Sequence, residues 1–114
     1  VIRLLLTLNR VLTALVALHH CPRFQPAIAS WYFDAGPTAS GAHARYGIAN
    51  RILPFGTRVQ IRYQGAGLTG VVDDRGPWVA GRSFDLNQTT AARLRFSGVA
   101  MIAYRVLPAR GCWS

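Results

Sequence analysis

The run Thr57-Arg58-Val59-Gln60-Ile61-Arg62-Tyr63 alternates apolar and polar residues without a break. Val59, Ile61 and Tyr63 fall on one side and Arg58, Gln60 and Arg62 on the other, the pattern of a half-buried strand. Gln64-Gly65-Ala66-Gly67 supplies a turn, and Leu68 to Asp73 reads as the returning partner. The rest of the chain has the same short grain. Trp31-Tyr32-Phe33 reads as a first strand, Ser83 to Leu86 as another, and Gly98 to Leu107, rich in Val, Ile and Tyr, as the last. Residues 34–49, rich in Gly, Ala, Ser and Pro, show no period and read as loop. Asn87 is placed to cap a helix through Gln88-Thr89-Thr90-Ala91-Ala92-Arg93-Leu94. Several short strands with one or two short helices point to a mainly β domain, a small closed barrel.

The chain has 114 residues, room for one domain and not two. Half of it is apolar, which argues against disorder. Its charge is lopsided: thirteen Arg and no Lys against four Asp and no Glu, a net +9. Such a balance draws a protein toward polyanions without saying which. No recognised nucleic-acid motif accompanies the Arg residues, so nucleic acid is not expected as a partner.

Residues 1–29 differ from the remainder. Arg3 and Arg10 flank Leu4-Leu5-Leu6, a compact apolar run covers Val11 to Leu18, and Ala27-Ile28-Ala29 offers small residues at the positions a signal peptidase reads. This layout predicts a secretory signal over 1–29 and a mature domain over 30–114. The alternative is an uncleaved anchor, although the apolar run falls well short of the roughly 20 residues a span needs. His19-His20 stand where a lipidation site before Cys21 would want small residues, which excludes a lipoprotein. Cleavage after Ala29 would leave ten Arg against four Asp and would remove Cys21, so Cys112 is expected to lack an intramolecular partner.

Chemistry-bearing residues are few. No Cys/His cluster has metal-ligand spacing, so neither metal nor cofactor is expected. With His43 as the one base outside residues 1–29, no Ser/His/Asp arrangement is credible. The general acids are Asp34, Asp73, Asp74 and Asp85. Asp73 and Asp74 are neighbours on a strand end and are expected to point to opposite faces.

Three blocks pair turn residues with strand residues in a fixed order: Leu53-Pro54-Phe55-Gly56-Thr57-Arg58-Val59, Asp73-Asp74-Arg75-Gly76-Pro77-Trp78 and Phe84-Asp85-Leu86. Ala29-Ser30-Trp31-Tyr32 and Thr38-Ala39-Ser40-Gly41 precede them. Together these blocks resemble the rare lipoprotein A family, whose better-known members cleave peptidoglycan glycan strands. The resemblance runs from about Ala29 to Leu107. It implies a six-stranded double-psi β-barrel, secreted or in the cell envelope, that acts on peptidoglycan as a lytic transglycosylase. Expected partners are glycan strands and anionic cell-wall polymers, with the domain a monomer and any membrane contact made through residues 1–29.

The resemblance maps the glycan-cleft Asp onto Asp74, the expected catalytic residue. A lone carboxyl suits the lytic reaction, in which the sugar's own 6-hydroxyl attacks the anomeric carbon, whereas hydrolysis usually needs two. The other reading of Asp74 is a cap on the Arg75-Gly76-Pro77 turn. Asn50, Thr38, Ser40, Asp73, Arg75, Trp78 and Asp85 are the expected substrate-binding residues. For Thr38 and Ser40 the alternative is satisfaction of their own loop, for Arg75 an ion pair within the barrel, and for Trp78 packing under a turn. Asn50 stands where better-known members have His, and their upstream Asp is missing from Ala42-His43-Ala44-Arg45-Tyr46. His43 and Asp34 are the remaining candidates for the lost proton chemistry, and no pattern in the sequence joins them. Arg95 stands where relatives have Gly after the helix, so a left-handed residue there would be strained. A non-catalytic glycan-binding module and a protein-binding inhibitor barrel remain as alternative functions.

Overall fold

The computed structural model describes residues 21–110 and 112. Residues 1–20 of the expected signal lie outside them. Six strands close into a barrel: β1 (Gln25–Tyr32), β2 (Gly47–Ala49), β3 (Arg58–Tyr63), β4 (Ala66–Asp74), β5 (Phe84–Asn87) and β6 (Ala100–Val106). One helix, α1 (Gln88–Leu94), follows β5 directly. The order around the barrel is β1-β5-β2-β4-β3-β6. The pairs β1/β5 and β2/β4 are parallel and the other four antiparallel. This is the small closed barrel expected from the strand pattern and the double-psi barrel that the resemblance implies.

Alternation in β3 works as predicted. Val59 and Ile61 are fully buried, while Arg58 and Arg62 are exposed. Tyr63 lies opposite Ala66, so Gln64 and Gly65 alone make the turn, both at positive φ. Two successive positive-φ residues match the right-handed twist of the flanking strands. Within the barrel Ala29, Ile48, Val59, Ile61, Val72, Phe84, Leu86 and Ile102 form one cluster with Ala91, Leu94 and Phe96 from the helix and its exit. Phe84 meets Tyr104 and Tyr63 meets Phe96 edge to face, with ring centres 4.7 Å and 5.0 Å apart.

Asn87 caps the helix as expected, its Oδ1 accepting from the Thr90 amide at 2.8 Å. At the other end Arg95 is left-handed, with φ 54° and ψ 39°. Its amide donates to Ala92 O and the Phe96 amide to Ala91 O, and the reversal drops Phe96 into the core. The reversal needs that backbone conformation; Arg95 adopts it against the preference of its Cβ.

Two expectations are corrected. The first strand begins at Gln25, not Trp31. Gln25 to Ala29 pair antiparallel with Tyr104 to Ala100 of β6, so the barrel starts before the expected boundary at Ser30, and Ala27-Ile28-Ala29 lies inside a strand. Cys21 and Cys112, expected to be unpaired, are joined by a disulfide with their Cα atoms 5.7 Å apart. The physical reason is common to both. Because β1 runs antiparallel to β6, the chain enters one and leaves the other at the same end of the barrel, which brings the two cysteines within bridging distance.

Two stability changes are expected. Arg95→Gly relieves the left-handed strain and should stabilise the domain by roughly 0.5–1 kcal/mol, read as a higher midpoint in thermal or urea melts. Cys112→Ser opens a bridge spanning 91 residues of sequence and should cost about 2–5 kcal/mol in the same melts.

Candidate active site

All four acids gather at one pole of the barrel. Asp74 lies opposite Ala49 across β4/β2, Ala49 opposite Asp85 across β2/β5, and Asp85 opposite Ser30 across β5/β1. Residues facing each other in neighbouring strands share a face of the sheet. Ile48, Leu86 and Val72 point into the core, so this row lies on the outer face, with Ser30 and Ala49 covered and Asp74 and Asp85 partly exposed. The small Ala49 forms a floor between two carboxyl-bearing positions, whose backbones stand roughly 9–10 Å apart at two strand spacings. Asp74 and Asp85, expected as the catalytic residue and a binding residue, therefore share the face. Ser30 Oγ donates to Asp85 Oδ1 at 3.0 Å. Burial pushes the Asp85 carboxyl above the usual carboxylate range, against the pull of the Ser30 hydrogen bond and of Arg82.

The register slips between Ile48 and Ala49, which face Val72 and Asp74 respectively, leaving Asp73 as the extra residue on β4. Such bulges re-aim side chains. Asp73 and Asp74, expected to diverge, both bond to the segment 33–46. Asp73 Oδ2 accepts from the Ala44 amide at 2.9 Å, and Asp74 Oδ1 accepts from the Ala39 amide at 2.9 Å and the Arg75 amide at 2.9 Å. Asp73 is 3% exposed, and its Oδ1 has no partner among the described residues. Burial raises its carboxyl, with smaller upward contributions from Asp34 and Asp74. Gly47 lies against it; a Cβ there would sit 2.4 Å from Asp73 Oδ2.

The Tyr32 hydroxyl is likewise buried without a partner, and burial together with all four Asp raises its pKa. Asp34 Oδ2 lies 3.0 Å from His43 Nδ1. This contact lifts the His43 imidazole above its ordinary value, helped by the charges of Asp73 and Asp74. The sequence held no sign that the two residues, nine positions apart in a loop without period, would meet.

Several expected sugar ligands prove to be engaged elsewhere. Asn50 Oδ1 accepts from the Ile52 and Leu53 amides at 3.0 and 2.9 Å, and its Nδ2 donates to Ser83 O at 3.0 Å. The side chain caps a turn and ties it to the start of β5, which uses three of its four hydrogen-bonding positions and leaves one Nδ2 proton without a partner among the described residues. Thr38 is buried and donates to Ala42 O; Ser40 pairs with Thr38 and accepts from the Ala42 amide, so both satisfy their own loop. The Arg75 guanidinium lies over the Phe55 ring at 3.8 Å and donates to Asn50 O at 3.3 Å. Asp73 is covered. Asp74, Asp85 and Trp78 remain within reach of a ligand. Trp78 is 76% exposed, not packed under its turn, and the exposed rings of Trp31 and Phe33 flank Tyr32 without having been anticipated as a sugar surface. Among the described residues no cluster of His, Cys, Asp or Glu suits a metal ion.

A closed six-stranded barrel with carboxyls at one pole defines a double-psi β-barrel domain with a candidate active site. Residues 25–105 match the family model described as lytic transglycolase, and the chain belongs to that family. It is 39% identical over 82 residues to a probable endolytic peptidoglycan transglycosylase RlpA of Aquifex aeolicus, covering 65% of this chain and 36% of that protein. A protein of the same name from Synechocystis is 37% identical over 95 residues, covering 75% of this chain and 30% of its own length. The chain thus spans about a third of the relatives it matches. Among solved structures, the Streptomyces papain inhibitor superposes with a TM-score of 0.61 at 19% identity, covering 79% of this chain and 99% of the inhibitor. That likeness concerns the fold alone.

Asn50→Ala removes three hydrogen bonds from a nearly buried site and should destabilise the domain by roughly 2 kcal/mol in urea melts. A loss below about 0.5 kcal/mol would contradict the capping role assigned to it.

Proposed function

We propose that the domain is a lytic transglycosylase that cleaves peptidoglycan glycan strands to 1,6-anhydro products, with Asp74 as the general acid. The observation that carries this reading is the setting of Asp74. One carboxyl oxygen is fixed by the Ala39 and Arg75 amides, and no partner reaches the other among the described residues. A group so held is oriented yet free to exchange a proton with substrate. Asp74 protonates the departing glycosidic oxygen, and the 6-hydroxyl closes on the anomeric carbon as its own proton leaves. Trp78 and the exposed rings beside Tyr32 offer apolar faces for sugar rings, and Asp85 offers a hydrogen-bonding group along the same row.

The relatives named as peptidoglycan transglycosylases support the substrate class. The disulfide supports a location outside the cytoplasm, in the cell envelope or beyond, because such bridges persist in oxidising compartments. The exposed Arg58 and Arg62 give long-range attraction to anionic wall polymers. A second reading, a glycan-binding module without activity, is favoured by Asn50, an amide that caps a turn and cannot exchange a proton, where better-known members carry His.

The test is product analysis with peptide-free glycan strands. The wild type should release 1,6-anhydro ends; ordinary reducing ends would instead assign hydrolysis by the Asp74 and Asp85 pair. Asp74→Asn should lower cleavage at least about 100-fold. Glycan binding and melting temperature should hold, since the amide oxygen still accepts from Ala39 and Arg75. Full activity in that variant would overturn the mechanism, and an inactive wild type would leave the binding module.

A further inference from the structure

The lytic reaction has two proton transfers, which one carboxyl can make in turn or an acid and a separate base can share. The pair Asp34–His43 has the form such a base takes. Asp34 Oδ2 engages His43 Nδ1 at 3.0 Å, which leaves Nε2 as the outer nitrogen of a ring about half exposed. Both residues are anchored. The Asp34 amide donates to Gln88 Oε1 at 3.2 Å, tying it to the helix start. The Ala44 amide, next after His43, holds Asp73 on the strand that also carries Asp74. The pair opens on a surface cleft of about 540 Å³ lined also by Arg45, Asn87, Gln88 and Thr89, with Asp74 outside this lining and joined to it through Asp73 and the Ala44 amide.

We propose that His43, oriented by Asp34, is the base of the reaction, its Nε2 taking the proton from the 6-hydroxyl while Asp74 protonates the departing oxygen. This rests on the lytic reading above. The balance closes. The bond from the anomeric carbon to the bridging oxygen breaks, and the bond from that carbon to O6 forms. One proton moves from O6 to His43 and one from Asp74 to the leaving oxygen. Exchange with water then resets both groups. Asp34 fixes the tautomer and stabilises the imidazolium as it forms, the role a carboxylate plays behind a catalytic histidine. The pair thereby supplies, from a different loop position, the proton acceptor that Asn50 cannot be.

The charged groups around His43 are Asp34, Asp73, Asp74 and Arg45. A base must be neutral to act, so cleavage should fall as pH drops through the His43 pKa, which Asp34 holds above the ordinary histidine value. Removing the Asp34 charge lowers that pKa, and the acid limb should move to lower pH.

The experiment compares wild type, His43→Ala, His43→Gln, Asp34→Asn and Asp74→Asn in the full chain, by release of 1,6-anhydro ends from peptide-free glycan across pH. Expected results are a fall in kcat of about 100-fold or more for both His43 variants with KM and melting temperature nearly unchanged. Added imidazole should partly rescue His43→Ala, and Asp34→Asn should show a lower kcat with its acid limb shifted down. Wild-type kcat in His43→Ala, or an unmoved limb in Asp34→Asn, would overturn the proposal while an inactive Asp74→Asn left the lytic reading standing. A wild type that yields no anhydro ends would overturn both.

Discussion

Three residues hold this barrel closed. Gly47–Ala49, the whole of β2, pair parallel with β4 on one side and antiparallel with β5 on the other. Without them the two halves of the sheet would meet only at the opposite seam. So short a strand cannot stand on its own ladder, and its neighbours brace it. Thr90 of the helix donates its hydroxyl to Gly47 O at 3.2 Å, and the Val71 amide bonds to Tyr46 O at 2.9 Å just before the strand. Gly47 is also where space is tightest, because the Asp73 carboxyl occupies the volume a side chain would need. Closure of the barrel and burial of an acid are thus the same packing event.

The segment 33–46 follows from that arrangement. It has no regular structure, yet acids and caps hold it at both ends. Asp73 and Asp74 take the amides of Ala44 and Ala39, while the helix cap Asn87 donates its side-chain amide to Ala44 O and Arg45 O. One residue therefore organises the helix through its oxygen and the loop through its nitrogen. A chain with thirteen Arg brings all four of its carboxyls close enough to Tyr32 to raise that hydroxyl's pKa, and Asp34 and Asp74 add to the rise at the buried Asp73. Gathering like charges costs stability, which makes this pole the place to look for function.

The sequence displayed what repeats and hid what does not. Alternation in β3 and the cap at Asn87 were legible because each is a local pattern with a local cause. β2 was missed since three residues carry no period, and the start of β1 was missed because Gln25 to Ala29 gain their strand character from β6, far along the chain. Asp74 and Asp85 are expectations of the resemblance, and the register shows how the two come to share one face. Asn50, Thr38 and Ser40 have polar side chains that suit a sugar equally well, and only the three-dimensional arrangement shows the loop amides and carbonyls that consume them. The meeting of His43 with Asp34 is likewise invisible in one dimension.

Entry into β1 and exit from β6 lie side by side, about five residues, or roughly 16 Å along the strand, from the row that carries Asp85 and Ser30. The Cys21–Cys112 bridge closes just outside that point. Tension applied to the two ends of the chain would run through the covalent bridge and bypass the strands entirely. The barrel would hang from its bridge like a bead from a clasp, with its acidic pole facing away from the point of suspension.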